Sequence, residues 1–217
     1  MTRAPAFPGI VHVVDDDAAF RKGIGRVLTA AGHLPLLYGS AGEYLAAHDA
    51  RGPACLLLDL RMPGPTGLDL QTALAGREDA HPVIFLSGHG DVRSTVRAMQ
   101  GGAVDFLTKP VVTATLLEAI DRALERDLER QQRLERAVEV RARYASLTPR
   151  EREVMAGVVA GLLNKQICHA LHAAERTIKT HRSRVMEKMR VRSVADLVRL
   201  AEELAAAGVA LEPTPPP

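Results

Sequence analysis

At 217 residues, 47% hydrophobic and 25% charged, the chain has the composition of a soluble globular protein with room for one large or two small domains. No apolar run approaches the roughly 18–20 residues that span a bilayer, which argues against a transmembrane helix and a membrane partner. The net charge of +2 hides an asymmetry. Residues 1–126 hold 12 Lys/Arg against 14 Asp/Glu, whereas residues 144–217 hold 11 against 8. An acidic first half and a basic stripe in the second predict two jobs, the second of them contact with nucleic acid.

The N-terminal stretch MTRAPAFPGIVHVVDDD lacks the long apolar segment of a signal peptide, which predicts a cytoplasmic chain. Cys55 and Cys168 fall in different halves, so neither a disulfide nor a metal site is indicated by the cysteines. Five short apolar runs follow in order: IVHVV (10–14), LPLLY (34–38), CLLLDL (55–60), PVIFLS (82–87) and AVDFL (103–107). Amphipathic segments lie between them, with start signals in Ser40 with Glu43 and in Asp91 before VRSTVRAM. Five strand–helix alternations with short loops predict a doubly wound α/β domain: a parallel sheet with helices on both faces, ending near residue 126.

The polar residues sit at strand ends. Strand one ends in Asp15, Asp16 and Asp17, strand three at Asp59, strand four at Ser87, and strand five just before Lys109-Pro110. In a parallel sheet these ends share one edge, where such folds place their ligands. Three converging carboxylates stay ionised together only when a cation joins them, and an all-oxygen set suits Mg²⁺. Asp17 reads as a helix N-terminal charge rather than a ligand. Phe106 reads equally as a core residue or a functional one, and His89 as a solvent-facing loop residue.

Residues 9–126, through VDDD, LDLRMPGPTG, LSGHGD and GAVDFLTKP, resemble the receiver domain of two-component response regulators of the FixJ/NarL type, a flavodoxin-like (βα)5 fold. The resemblance implies that Asp59 is the phosphoacceptor and that Asp15, Asp16, Asp59 and the backbone carbonyl of Arg61 hold Mg²⁺. Ser87 and Lys109 would ligate the phosphoryl group, Phe106 would be the aromatic switch residue, and the Lys109–Pro110 bond would be cis. Phosphatases of the haloacid-dehalogenase type also form an aspartyl phosphate, but they place a second acid two residues on. Here that residue is Arg61, which cannot act as a base, so a turnover enzyme is not expected.

A helical pattern continues from about Thr113 to Arg143. Residues 127–145 read as a solvated helical linker, with an interrupted coiled-coil seam as the alternative. LTPRE then starts an all-α domain over 146–209, with Thr148 as N-cap, Pro149 at the first helical position and Glu151 closing a capping box. Helices are expected at roughly 149–160, 164–171, 175–189 and 193–207, with the short turn HAA giving helix–turn–helix geometry. On the third helix Ile178, Val185 and Met189 share one face. Arg176, Thr180, Ser183 and Arg184 occupy the other, with Lys179 at its flank, as on a helix that reads the major groove.

Residues 147–202 resemble a LuxR-type helix–turn–helix in LTPREREVM, NKQIC, ERTIKTHRSRVMEKM and VRSVADLVRLA. The resemblance implies that Lys179, Thr180, His181 and Ser183 approach bases while neighbouring Arg and Lys residues hold phosphates; the helical wheel sets His181 nearer the core flank. Ala174 stands where that family often has a capping Ser, Leu163 where it has Ser or Pro, and Arg190 where it has Gly. Residues 210–217, ending in EPTPPP, are expected to be a disordered tail. The combined reading is a phosphorylation-gated transcription regulator served by a sensor histidine kinase. It would bind promoter DNA as a homodimer when phosphorylated and act on RNA polymerase. A receiver acting as a phosphate sink is the alternative, against which the basic third helix argues.

Overall fold

The computed structural model describes residues 8–47, 52–77, 79–88 and 92–211. His89, the Asp91 helix start and the EPTPPP tail lie outside the described residues. The chain divides into two compact units, Met1–Gln131 and Gln132–Pro217.

The first unit contains strands β1 (Ile10–Val14), β2 (Leu34–Tyr38), β3 (Ala54–Asp59), β4 (Val83–Ser87) and β5 (Asp105–Thr108). They alternate with helices α1 (Ala18–Ala30), α2 (Ala41–Ala47), α3 (Gly67–Leu74), α4 (Val92–Gln100) and the start of α5 (Thr113–Ala145). The sheet is parallel throughout, in the order β2-β1-β3-β4-β5. The apolar runs of β1, β3 and β4 are buried on both faces, as a sheet between helices requires, whereas the edge strand β2 leaves Leu34 and Leu37 exposed.

Strand periodicity sorts those side chains. Val11, Val13, Cys55, Leu57, Ile84 and Leu86 pack with Ile24 and Leu28 of α1 and Leu116, Ile120 and Leu124 of α5. Val14, Leu56, Leu58 and Phe85 pack on the other side with Tyr44 of α2, Leu70 and Leu74 of α3 and Ala98 of α4.

The first unit ends five residues beyond the expected 126, and the reason is Asp127. Its side chain is fully buried and accepts hydrogen bonds from the Ala54 backbone N–H (2.9 Å), Arg130 Nε (2.9 Å) and Gln131 Nε2 (2.8 Å). Gln131 also donates to the Gly52 carbonyl at 2.6 Å. These bonds tie α5 to the start of β3 for another turn after its apolar stripe has ended.

The second unit takes the rest of α5, then α6 (Pro149–Val159), α7 (Asn164–Ala170), α8 (Glu175–Lys188) and α9 (Val194–Ala206). The stretch 127–145, expected as a solvated helical linker, is helical and exposed over most of its length, but Asp127 and its C-terminal turns are not. Leu134 and Val138 are exposed, but Val140 and Tyr144 are buried in the second core. They pack there with Val154, Met155, Ile167, Ile178, Val185, Met189 and Leu200.

Helix starts follow the sequence signals. The Thr148–Glu151 capping box is formed, with Thr148 N–H donating to Glu151 Oε2 at 2.9 Å and Glu151 N–H to Thr148 Oγ1 at 3.3 Å. Ala174 caps α8 with no side-chain bond. Arg190, in the left-handed region at φ 54°, occupies the helix-ending position where glycine is the unstrained choice.

Candidate functional site

Parallel pairing brings the strand ends to one edge. Asp59 ends β3, and in the β3–β4 register it lies opposite Leu86, one residue before Ser87. Ser87 lies opposite Thr108, and the Lys109 N–H donates to the Ser87 carbonyl at 2.8 Å, so the lysine leaves the sheet beside the serine. Lys109–Pro110 is cis, as expected. Gly67, the first residue of α3, packs so closely that a Cβ there would lie 2.3 Å from the Asp59 carbonyl oxygen. Only glycine admits that approach.

Asp15, Asp59 and Ser87 are buried. Lys109 Nζ lies 2.5 Å from Asp15 Oδ2 and 2.7 Å from Asp59 Oδ1, bridging the two carboxylates, and sits 4.1 Å from the centre of the Phe20 ring. The remaining carboxylate oxygens take backbone donors. Asp15 Oδ1 accepts from Asp17 N–H at 2.9 Å, and Asp59 Oδ2 from Arg61 N–H at 2.8 Å.

Burial, reinforced by Asp15, raises the Asp59 carboxyl above the ordinary value although Lys109 pulls the other way. Burial works against the Lys109 charge, yet the bonds to Asp15 and Asp59 hold its pKa above that of an ordinary lysine. The pocket holds the Lys109 side chain between two buried carboxyl groups, with a hydroxyl-bearing residue beside it.

Not every expected residue joins. Asp16 is exposed, and among the described residues no three His, Cys, Asp or Glu side chains stand together as a ready metal site. Asp15, Asp59 and the neighbouring Asp16 nevertheless supply hard oxygen donors on adjoining strand ends, a chemistry that fits Mg²⁺. Asp17 is the α1 N-cap, accepting from Ala19 N–H (2.8 Å) and Phe20 N–H (3.1 Å). Phe106 is half-buried, its ring stacked with Phe85 at 6.2 Å between centroids.

In the second unit one open concave surface is lined by Glu175, Arg176, Lys179, Thr180, Ser183 and Arg184 of α8. The opposite side of α8 buries Ile178, Val185 and Met189 against the core, so the helix presents the polar face the sequence pattern predicted. Arg182 Nη1 donates to Asn164 Oδ1 at 2.9 Å, fixing α8 on α7. His181 does not line the surface. It is half-buried with Nδ1 enclosed, because its helical angle turns it toward the core flank. Glu175 does line it, although the sequence reads it only as an offset to the surrounding basic charge. The available signal was its i,i+4 spacing to Lys179.

The family model for the response regulator receiver domain matches residues 11–121, and that for bacterial regulatory proteins of the luxR family matches residues 145–201. This chain belongs to the response regulator family. The regulator is 45% identical to Nodulation protein W of Bradyrhizobium diazoefficiens over 90% of this chain and 86% of the relative. It is 42% identical to the transcriptional regulatory protein FixJ of Rhizobium meliloti, over 88% of this chain and 94% of the relative. Among solved structures, the response regulator StyR superposes with a TM-score of 0.81 at 41% identity, covering 91% of this chain and all of the other. Full-length FixJ from B. japonicum gives 0.54 at 39% identity over 92% and 97%. The regulator thus combines a receiver domain with a LuxR-type DNA-binding domain, the organisation of a phosphorylation-activated transcriptional regulator. No helix among the described residues is long and apolar enough to cross a membrane.

Proposed function

We propose that Asp59 accepts a phosphoryl group from a sensor histidine kinase and that this acylphosphate switches the α8 surface into DNA binding. The observation that carries the reading is the Lys109 ammonium held between Asp15 and Asp59 at the edge of the sheet. An Asp59 carboxylate oxygen attacks the phosphorus, the phosphorus–nitrogen bond to the donor histidine breaks, and the donor ring leaves with the bonding pair. Asp15, Asp16, Asp59 and the Arg61 carbonyl would hold Mg²⁺, which when bound supplies charge neutralisation for the incoming phosphoryl oxygens. Lys109 and Ser87 would then bond those oxygens. Half-buried Phe106, stacked on Phe85, would report the change to the surface.

On the second unit Arg176, Lys179, Thr180, Ser183 and Arg184 would meet DNA, Lys179 and the hydroxyl residues at bases and the arginines at phosphates. One small helix–turn–helix buries too little surface to be selective alone, so the active form would be a homodimer on half-sites about 34 Å apart. Exposed Val92, Val96 and Met99 form an apolar stripe on α4 of the sort a dimer buries. Promoter-bound protein would then act on RNA polymerase in the cytoplasm.

The test is mass spectrometry and DNA binding with and without a small phosphodonor and Mg²⁺. A mass increase of one phosphoryl group, lost in Asp59→Asn together with donor-stimulated binding, is the expected result. Unchanged stimulation in Asp59→Asn overturns it.

A further inference from the structure

Glu175 is a misplaced charge for a surface that must approach phosphates. It is the acid among the six residues lining the α8 surface, where Arg176, Lys179 and Arg184 provide the positive charge. Its side chain is 49% exposed, so burial does not explain it. An acid in the first turn favours the helix dipole, and Ala174 leaves α8 without a side-chain cap. A capping Ser or Asp at 174 would serve that need more directly.

The donor and acceptor inventory gives Glu175 another task. Arg176, Lys179 and Arg184 are donors only; the hydroxyls of Ser183 and of Thr180, which donates to the Arg176 carbonyl at 2.9 Å, can accept but are neutral, so Glu175 is the charged acceptor of the surface. Donors recognise G O6 and N7, A N7 and T O4. A base whose groove edge offers a donor needs an acceptor, and the Glu175 carboxylate supplies one. It is also paired. Lys179 Nζ lies 2.9 Å from Glu175 Oε1 across one helical turn, and that ammonium keeps the carboxyl below the ordinary glutamate value.

The separation of this pair matches a feature of DNA. In a G·C pair the G O6 acceptor and the C N4 donor are joined by a hydrogen bond, so they lie about 2.9 Å apart in the major groove. A carboxylate and an ammonium at the same separation can lie along them in the opposite sense, the ammonium on O6 and the carboxylate on N4. We propose that Glu175 and Lys179 act as one unit that reads a single G·C base pair in one orientation, with Lys179 on the guanine and Glu175 on the cytosine. This rests on the assignment of α8 as the DNA-reading helix. Guanine offers Lys179 both O6 and N7, whereas the thymine of a T·A pair offers it one acceptor beside a methyl group, so G·C is preferred. A reversed C·G pair puts donor against donor and carboxylate against acceptor. Glu175 is therefore a specificity-determining residue that weakens binding to unmatched sequence through repulsion from phosphates.

The experiment is selection from a random double-stranded DNA library with the full-length protein, phosphorylated by a small phosphodonor, in wild type, Glu175→Ala and Glu175→Gln. Affinities for the selected site and for mixed-sequence DNA are measured in the same salt, and thermal unfolding checks that each variant is folded. Wild type should select a motif containing one oriented G·C pair per half-site. Glu175→Ala should lose roughly 5- to 150-fold of the discrimination at that pair alone, while binding mixed-sequence DNA at least as tightly. Glu175→Gln keeps the side-chain length and should shift the same position toward A, which glutamine contacts through N6 and N7. A selected motif unchanged in both variants overturns the proposal, as does a loss of affinity equal for all sequences, which marks a purely structural helix start. A wild-type protein that selects no motif fails at the earlier step, the assignment of α8, and takes this inference with it.

Discussion

Lys109 Nζ lies 2.7 Å from Asp59 Oδ1 although the two residues are separated by 50 positions and leave the sheet from different strands. The same ammonium holds Asp15, so two buried carboxylates share one cation. Even so, the Asp59 carboxyl is raised, by burial first and then by Asp15, so the fold disfavours its ionised form. A raised folded pKa means that stability falls as pH rises through that value. In metal-free buffer at neutral pH, Asp59→Asn removes the cost and should stabilise the first unit by about 0.5–2 kcal/mol, as substitutions at strained functional sites do. Thermal unfolding in chelator measures this, and a melting temperature below wild type contradicts it. The same variant should lose phosphodonor-stimulated DNA binding. Ser87→Ala should still accept phosphate but respond weakly, since each charge-assisted bond to the phosphoryl group contributes about 1.5–3 kcal/mol of the ~5.5 kcal/mol needed to invert a 1:99 equilibrium.

Arg190 ends α8 in a conformation suited to glycine, at φ 54°, with its N–H donating to the Glu187 carbonyl at 3.0 Å. Its guanidinium is 3.9 Å from Glu139, an exposed pair of little energetic consequence. Left-handed backbone costs a residue with a Cβ about 1–2 kcal/mol; the extra freedom of glycine in the unfolded chain returns part of that. Arg190→Gly should therefore stabilise the second unit by about 0.5 kcal/mol, a rise in melting temperature of roughly 2–4 °C. Calorimetry of the full chain reads this directly, and a lower transition temperature would show that the guanidinium carries more than its surface contact.

The pocket also bears on how long the signal lasts. Arg61 follows Asp59, the proposed phosphoacceptor, by two residues, is exposed, and anchors Asp59 Oδ2 through its own N–H at 2.8 Å. Hydrolysis of the acylphosphate needs a water aligned with the phosphorus. A long cationic side chain at this position would cover that approach, and it offers no acceptor to orient the water. Arg61→Asn shortens the side chain and adds an amide able to hold the water, so it should release phosphate several-fold faster. The backbone contribution to Mg²⁺ would be unaffected, so metal affinity should stay the same. Phosphate release after donor removal tests this, and an equal or slower rate in the variant refutes the shielding role.

Much of this arrangement was legible in the sequence, and the reason is topological. Once five apolar runs imply a parallel sheet, Asp15, Asp59, Ser87 and Lys109 must share its edge wherever their loops lead. The α8 surface was legible because a 3.6-residue period separates Ile178 and Val185 from Arg176, Thr180 and Arg184. What stayed hidden depended on single side chains. Asp127 reads in sequence as a polar break in an apolar stripe, whereas it is the buried anchor of α5, since the backbone N–H it holds belongs to Ala54, 73 positions earlier in the chain. Val140 and Tyr144 read as part of a linker because the core they enter is built from residues that follow. Glu175 reads as an offset to basic charge until its distance to Lys179 is known.

Asp127 offers the sharpest test of what ends the receiver unit. It is fully buried, with its oxygens bonded to Ala54 N–H, Arg130 and Gln131, and His81 Nδ1 lies 3.5 Å away. Burial alone would raise its carboxyl, but His81, the Ala54 N–H and Arg130 together hold it below the ordinary value of 3.8. A lowered folded pKa means that the carboxylate stabilises the fold above the ordinary value and that this contribution is lost as pH falls through the folded one. Asp127→Ala strands buried donors and should cost about 3–5 kcal/mol, the usual penalty for removing one partner from a buried charged network. Asp127→Asn keeps the shape and part of the bonding, and should cost less. The two proteins should also differ in slope: wild type should lose stability more steeply than Asp127→Asn as pH falls below about 4, because only wild type has this carboxylate to protonate. Denaturant titrations of both at a series of acid pH values measure the difference. Parallel curves would mean that Asp127 contributes shape rather than charge to the end of the receiver.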